Sequence, residues 1–415
     1  MAGAETPVGV GKFAPAKWPI LFFFRTAATA FLLALLHCDN ADAARVTSAG
    51  TFELDNITYE KLVISGPIEA GDTGRLERSA AKGLENGSSL IVSLNSGGGD
   101  YREGLKLAEY FLANDIATVV EDGAACLSAC AIAFLGGVRT WEEGITFTAR
   151  SISPRARLGF HAPFLNVERR SPSDDEISRA YDKAVKTITD FIRISERLNI
   201  TPAAAADMMT PQRDQLFYIN TMRDALYVDL EIQGIVPPKA LTESMAVNLC
   251  INSIVDWGDD DVSARSELHD VADETGWSAS HSTRKVRSDR FGEGVVTRRT
   301  VIPAYYAGEG SGYYFCVIDH ALVDGDLETE CRGLAFLDAD SSGYDTLFTQ
   351  VDRAEKEGTT EEWMADVECR PTGLTFEPVS GRRGNANRWA LAPKSTPISE
   401  LSNVLERYAK SEKPL

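Results

Sequence analysis

Histidine is scarce in this chain, with five in 415 residues. Cationic side chains are in deficit: 42 Lys and Arg stand against 61 Asp and Glu, a net charge of −19. So acidic a surface excludes a charge-driven hold on nucleic acid or anionic lipid. No Cys-x-x-Cys pair occurs among the seven cysteines, which removes the usual zinc spacing. Asp338 to Gly343 resembles the start of a calcium loop, but its twelfth position is Thr349 and lacks the bidentate glutamate, so an acidic turn is expected. Neither a metal nor a cofactor is expected. The apolar stretch from Trp18 is broken by Arg25, which argues against a spanning helix. There is no internal repeat.

What is present begins with an export-like N-terminus. Lys12, Lys17 and Arg25 precede a short apolar run from Thr26 to Leu36, and Ala41-Asp42-Ala43 supplies small residues for cleavage. Residues 1–43 read as a signal peptide, and the mature chain as periplasmic or secreted. Membrane contact would come only through an uncleaved signal segment. Cys38 follows His37, a poor residue before a lipidated cysteine. Export turns the remaining cysteines into disulfide candidates: Cys126, Cys130, Cys250, Cys316, Cys331 and Cys369. The last four allow three pairings, and sequence does not choose among them.

Residues 47–236 alternate between strand and helix, the pattern of an α/β domain around a mostly parallel sheet. Leu62 to Ser65, Leu90 to Leu94 and Ala117 to Val120 read as strands. Arg75 to Glu85 reads as a helix stopped by Asn86-Gly87. Asp100 with Glu103, and Ser173 with Glu176, have the spacing of capping boxes. Ile177, Tyr181, Ala184, Val185, Ile188 and Ile192 form an apolar stripe on the long helix after Ser173. Thr201-Pro202 starts another helix. Arg150 to Arg157 and Pro163 to Pro172 read as basic loops, either solvated or mobile over a cleft. Pro237-Pro238 marks a boundary. Residues 245–390 read as a mainly β, disulfide-bearing module, and residues 391–415 as a helical tail. Asp319-His320 has no nucleophile motif beside it and reads as a chance pair, and Asp259-Asp260-Asp261 as a solvated loop.

Three segments carry chemistry. Asn95-Ser96-Gly97-Gly98-Gly99 is a glycine turn closing a strand. Cys126-Leu127-Ser128-Ala129-Cys130 sets a serine at a helix start, and Phe160-His161-Ala162-Pro163 holds one of the few histidines. Acyl transfer needs a nucleophile, a base and oxyanion donors. Ser128 suits the first, His161 the second. The N–H of Ala129 at the helix start and that of Gly98 or Gly99 suit the third. No Lys-Ser/Thr follows the glycines, so a phosphate loop is excluded. Cys126 and Cys130 admit three readings: packing, a disulfide clamping the serine's turn, or a cysteine nucleophile.

With Gly66-Pro67-Ile68 added, these segments resemble the proteolytic subunit of Clp protease. They are similar, more closely still, to a group of exported Clp-like proteins with a Ser-Ala-Cys motif. The resemblance covers roughly residues 60–235. It implies a ClpP/crotonase-like spiral fold, Ser128 as nucleophile, His161 as base, and Gly99 and Ala129 as oxyanion donors. It implies Asp214 of Arg213-Asp214 as third member, with Asp207 and Asp224 as alternatives. Gly97 stands where that family has proline, the stretch from Ser128 to His161 is longer, and the C-terminal module is foreign to it. The heptameric barrel and ATPase partner are therefore not carried over. The expected activity is that of an exported serine peptidase, with a peptide or protein as substrate and room for a homo-oligomer. Its rivals are a non-catalytic binding or scaffold protein on the same fold, and an acyl-CoA crotonase, which export disfavours.

Overall fold

The computed structural model describes residues 43–54, 57–140, 146–164, 173–211, 215–236, 238–253, 282–286, 292, 294–306, 313–323, 325–336, 366–368 and 391–415. Chain order begins with β1 (Arg45–Leu54), which pairs antiparallel with β2 (Ile57–Ser65). The sequence reading missed β1 because an exposed strand at the sheet edge carries no apolar alternation. There follow α1 (Asp72–Glu85), β3 (Ser89–Asn95), α2 (Tyr101–Ala113), β4 (Ala117–Val120), β5 (Ala125–Leu127) and α3 (Ala129–Phe134). A short hairpin, β6 (Val138–Thr140) with β7 (Thr146–Thr148), leads to β8 (Arg150–Ile152) and β9 (Arg157–Phe160). Then come α4 (Asp174–Ser195), α5 (Pro202–Met209), β10 (Phe217–Tyr218), α6 (Met222–Tyr227) and β11 (Glu231–Ile232).

The main sheet has six strands in the order β1-β2-β3-β4-β8-β11, parallel from β2 onward. Its central strands are apolar on both faces because both faces are covered: Leu62, Ile64, Leu90, Val92 and Leu94 are all buried. A second sheet, β10-β9-β5, starts where the first ends, through a bridge between Ser96 and Cys126. Helix α3 lies wholly inside, and its six small or apolar residues fit a closely packed slot. A Cβ on Gly104 of α2 would collide with the Ala129 carbonyl, and one on Gly136 with that of Ala108. Glycine and alanine thus let α2 and α3 approach closely, which seats the start of α3.

Two expectations are corrected. Arg150 to Arg157 is not a loop, because its ends are β8 and β9. Arg150 is a buried tie, donating to the carbonyls of Asp229 (3.2 Å), Leu135 (3.0 Å) and Leu198 (2.8 Å). Burial pushes its guanidinium down to about 10, so it stays charged at neutral pH. Asp100 caps α2 through the N–H groups of Arg102 and Glu103, but the box is not reciprocal: Glu103 turns to the Thr73 N–H at 2.9 Å and to Lys106. On α4, Ser173 and Glu176 do complete their box, and the apolar stripe is not the strip that the helix buries. Thr187, Phe191, Ile194 and Ser195 are buried instead, and most of the stripe faces outward. The C-terminal part begins with a helix, α7 (Glu243–Ser253).

Beyond α7 an antiparallel sheet runs β12 (Ser282–Val286), β13 (Thr297–Tyr306), β14 (Tyr313–Val323), β15 (Asp326–Phe336) and β16 (Asp366–Glu368). A disulfide ties Cys250 of α7 to Cys316 of β14. Cys331 lies in β15 opposite Ile318. Asp319 and His320 are both buried: Asp319 receives two bonds from Arg299, at 2.6 and 2.7 Å, and His320 Nε2 lies 3.2 Å from Thr300 Oγ1. The chain ends in α8 (Leu401–Ser411). The segment before it bonds to α6 through Met222 N–H to Thr396 (2.9 Å), and to α7 through Asn252 to Ala392 (2.8 Å). Residues 1–42, Cys369, Asp214, Arg169, Arg170, Asp259 to Asp261 and the Asp338–Thr349 turn lie outside the described residues.

Candidate active site

The turn after β3 takes its shape from two glycines at positive φ, Gly98 (102°) and Gly99 (149°). They face opposite ways. Gly99 backs onto Ile68, whose N–H donates to the Gly98 carbonyl (2.9 Å) and whose carbonyl accepts from Asp100 (2.8 Å). A Cβ on Gly99 would fall on the Ile68 carbonyl. Gly98 backs onto Ser128 instead, where a Cβ would stand 2.7 Å from the Ser128 Cβ and 3.2 Å from Oγ. The glycine turn and the serine therefore touch. The turn's N–H groups also differ. Gly98 donates to Ser96 Oγ at 3.1 Å, whereas Gly99 N–H has no partner among the described residues.

Ser128 sits between β5 and α3 at φ 58° and ψ −122°. A non-glycine residue there is strained, and the strand–serine–helix order is that of a nucleophile elbow. The turn is pinned on both sides: Leu127 N–H donates to Ser96 (3.0 Å) and Ser128 N–H to Gly159 (2.8 Å). The half-buried Ser128 hydroxyl has no hydrogen-bond partner among the described residues, and neither has the N–H of Ala129 at the start of α3. A disulfide joins Cys126 to Cys130 beneath the turn, with Cα atoms 5.1 Å apart and both residues buried.

Strand β9 lies parallel to β5, with Leu127 opposite Gly159, so the chain reaches His161 just past the point where it bonds to Ser128. His161 is 6% exposed. Its Nδ1 lies 2.6 Å from the Ala162 carbonyl, a contact satisfied when Nδ1 carries the proton, which leaves Nε2 with a lone pair. Ala162 N–H in turn donates to Pro211 (3.1 Å), and the Phe164 ring packs 5.2 Å from the imidazole. No hydrogen bond joins the Ser128 hydroxyl to the imidazole.

The alternatives for a third member are engaged elsewhere. Asp207 accepts from the Tyr227 hydroxyl (3.0 Å), and Asp224 caps α6 with Thr221. Neither bonds to His161. Of the basic residues predicted between Arg150 and Arg157, Arg155 pairs with Asp122, and Arg157 donates to the Tyr218 hydroxyl (2.8 Å). Sequence reasoning missed the carbonyls of Gly159, Ala162 and Pro211. Backbone acceptors leave no mark on residue type, although Pro163 does bias Ala162 toward extended backbone. Among the described residues no group of three His, Cys, Asp or Glu side chains is set to hold a metal. No described helix is long and apolar enough to cross a membrane.

No protein-family model matches the chain, and neither does any curated protein sequence. Among the solved structures that resemble part of it are the following two. One is the 1510-N membrane-bound stomatin-specific protease in a serine-to-alanine variant, at 15% identity and TM-score 0.31, covering 43% of this chain and 80% of that one. The other is an asparagine-to-aspartate variant of ClpP1 from Listeria monocytogenes, also at 15% identity and TM-score 0.31, covering 42% of this chain and 91% of that one. Likeness at this level assigns neither a fold family nor an activity.

Proposed function

We propose that this chain is an exported serine peptidase of the ClpP/crotonase-like kind, with Ser128 as nucleophile and His161 as base. The observation that carries the reading is the position of Ser128. It lies at a strained strand-to-helix turn, against Gly98 and bonded to Gly159 two residues before His161. Ser128 Oγ adds to the substrate carbonyl carbon as its proton passes to His161 Nε2. The carbonyl electron pair moves onto oxygen, where the free N–H groups of Gly99 and Ala129 receive it. Collapse breaks the C–N bond, and the amine leaves with the proton from His161. Water then repeats the sequence on the acyl-enzyme, restoring the serine hydroxyl. The Ala162 carbonyl on Nδ1 keeps the basic nitrogen available. Asp214 remains the proposed third member, three residues past the Pro211 carbonyl that holds Ala162. Export is supported by the signal-like N-terminus and by two disulfides.

Purified protein should cleave a fluorogenic peptide mixture, and both Ser128→Ala and His161→Ala should lose at least about a hundredfold in rate. Equal turnover by wild type and Ser128→Ala would contradict the proposal. One observation favours a second reading, a binding protein that keeps the fold: the imidazole does not bond to the serine hydroxyl. Catalytic hydrogen bonds are often loose without substrate, so activity and not geometry separates the two.

A further inference from the structure

Strand β9, which ends beside His161, has β5 on one side and β10 on the other. In β10 only Phe217 and Tyr218 pair, with Phe160 and Gly159, and Ile219 N–H then donates to the Leu158 carbonyl (3.0 Å). So short a strand does not hold its own place. That place nevertheless bears on the chemistry. A Cβ on Gly159 would stand 3.0 Å from the Tyr218 ring and 3.2 Å from Leu127, so Gly159 is enclosed between β10 and the serine's own turn. The Gly159 carbonyl accepts from the Ser128 N–H, and His161 lies two residues further on.

What holds β10 comes from far along the chain. Directly after it, residues 220–223 pair antiparallel with residues 394–398. Ile398 N–H donates to the Asn220 carbonyl (2.8 Å), Met222 N–H to that of Thr396 (2.9 Å) and Arg223 N–H to that of Lys394 (2.9 Å). Thr221 and Pro397 face each other between these bonds, at a register position where neither needs an N–H, so proline fits. Met222 and Arg223 open α6, and the segment accepts from N–H groups that a helix start otherwise leaves unmet. Side chains seal the join: Ile219, Met222, Thr396 and Ile398 are at most 6% exposed. The segment is anchored in turn by α7, whose Asn248 and Asn252 donate to the carbonyls of Leu391 (3.0 Å) and Ala392 (2.8 Å).

We propose, on the peptidase reading of Ser128 and His161, that residues 394–398 are a positioning segment of that site, with Ile398 its principal positioning residue. The segment holds β10 against β9. Through Gly159 and Phe160 it fixes the acceptor of the Ser128 N–H and the place of His161. The site is thus completed by residues that follow the β12–β16 sheet in sequence, outside the 47–236 stretch.

Two variants of the full chain test this at a temperature where circular dichroism shows both folded. Ile398→Ala removes a buried side chain from the joined stretch, and Leu405→Ala removes one of similar burial from α8, beyond it. Ile398→Ala should slow fluorophosphonate labelling of Ser128 at least about tenfold. It should also speed amide hydrogen exchange in residues 157–164 at least about fivefold. Leu405→Ala should do neither, although both variants melt at lower temperature. Should Ile398→Ala not fold, Ile398→Val should move both readouts the same way by less. Native exchange over residues 157–164 or an unchanged labelling rate in the folded Ile398 variant would overturn the proposal, and so would equal changes in Leu405→Ala. A wild type whose Ser128 takes no label would strike the peptidase reading, and exchange, which needs no catalysis, would still decide whether the segment positions β9.

Discussion

A residue held at φ 58° without being glycine stores roughly 1–3 kcal/mol, and something must keep Ser128 there. Hydrogen bonds from Leu127 and Ser128 to Ser96 and Gly159 hold its two sides, and the Cys126–Cys130 disulfide closes the turn from below. The cysteines stand at i−2 and i+2, positions that a sharp turn brings close, here 5.1 Å between Cα atoms. The bond therefore acts on the position of the serine and not on its chemistry. Replacing both cysteines by alanine should slow modification of Ser128 by a fluorophosphonate roughly tenfold, the rate equivalent of ~1.4 kcal/mol of lost positioning. Thermal melting of the variant shows whether the fold persists. An unchanged rate in a folded variant would show that the hydrogen bonds suffice. At this scale the sequence was legible where side-chain type matters: a serine between small residues, a rare histidine, adjacent glycines. It was silent on which glycine N–H stays free, because Gly98 and Gly99 are the same residue type and only the Ser96 hydroxyl tells them apart.

At the scale of elements, strands and caps were read from local signals and match the structure where the cause is local. Ala117–Val120 is one strand and Ser173 a true cap. Two expectations failed where the cause is distant. Arg150 looked like part of a basic loop, because nothing nearby in sequence announces that the carbonyls of Leu135, Leu198 and Asp229 converge on it. Glu103 was expected to serve its own helix and instead serves α1 through the Thr73 N–H. Close approach of α2 to α3 through Gly104 and Gly136 is the tertiary fact that seats the serine turn.

For the whole molecule, the described residues from Ala43 onward gather into one compact unit. The C-terminal sheet is tied to α7 by the Cys250–Cys316 disulfide, and the last segment bonds to both α6 and α7. His320 in that sheet links stability to pH. Burial first, and then Arg298, push its imidazole down from 6.5 to about 4, with Asp319 opposing. Between those values the unfolded chain binds a proton that the folded chain does not, so stability falls as pH drops from about 6.5 toward 4. Urea midpoints measured near pH 7.5 and pH 4.5 should show wild type losing about 2.5 kcal/mol more than His320→Gln, which keeps a neutral hydrogen-bonding group. Equal losses would show that His320 binds its proton alike in both states.

The central claim is that Ser128 is a poised nucleophile. It is tested most directly by incubating the native protein with a fluorophosphonate and mapping the adduct by peptide mass spectrometry. One adduct on Ser128, absent in His161→Ala although the hydroxyl is still present, is the predicted result. No adduct on Ser128 in the oxidised, folded protein would contradict it.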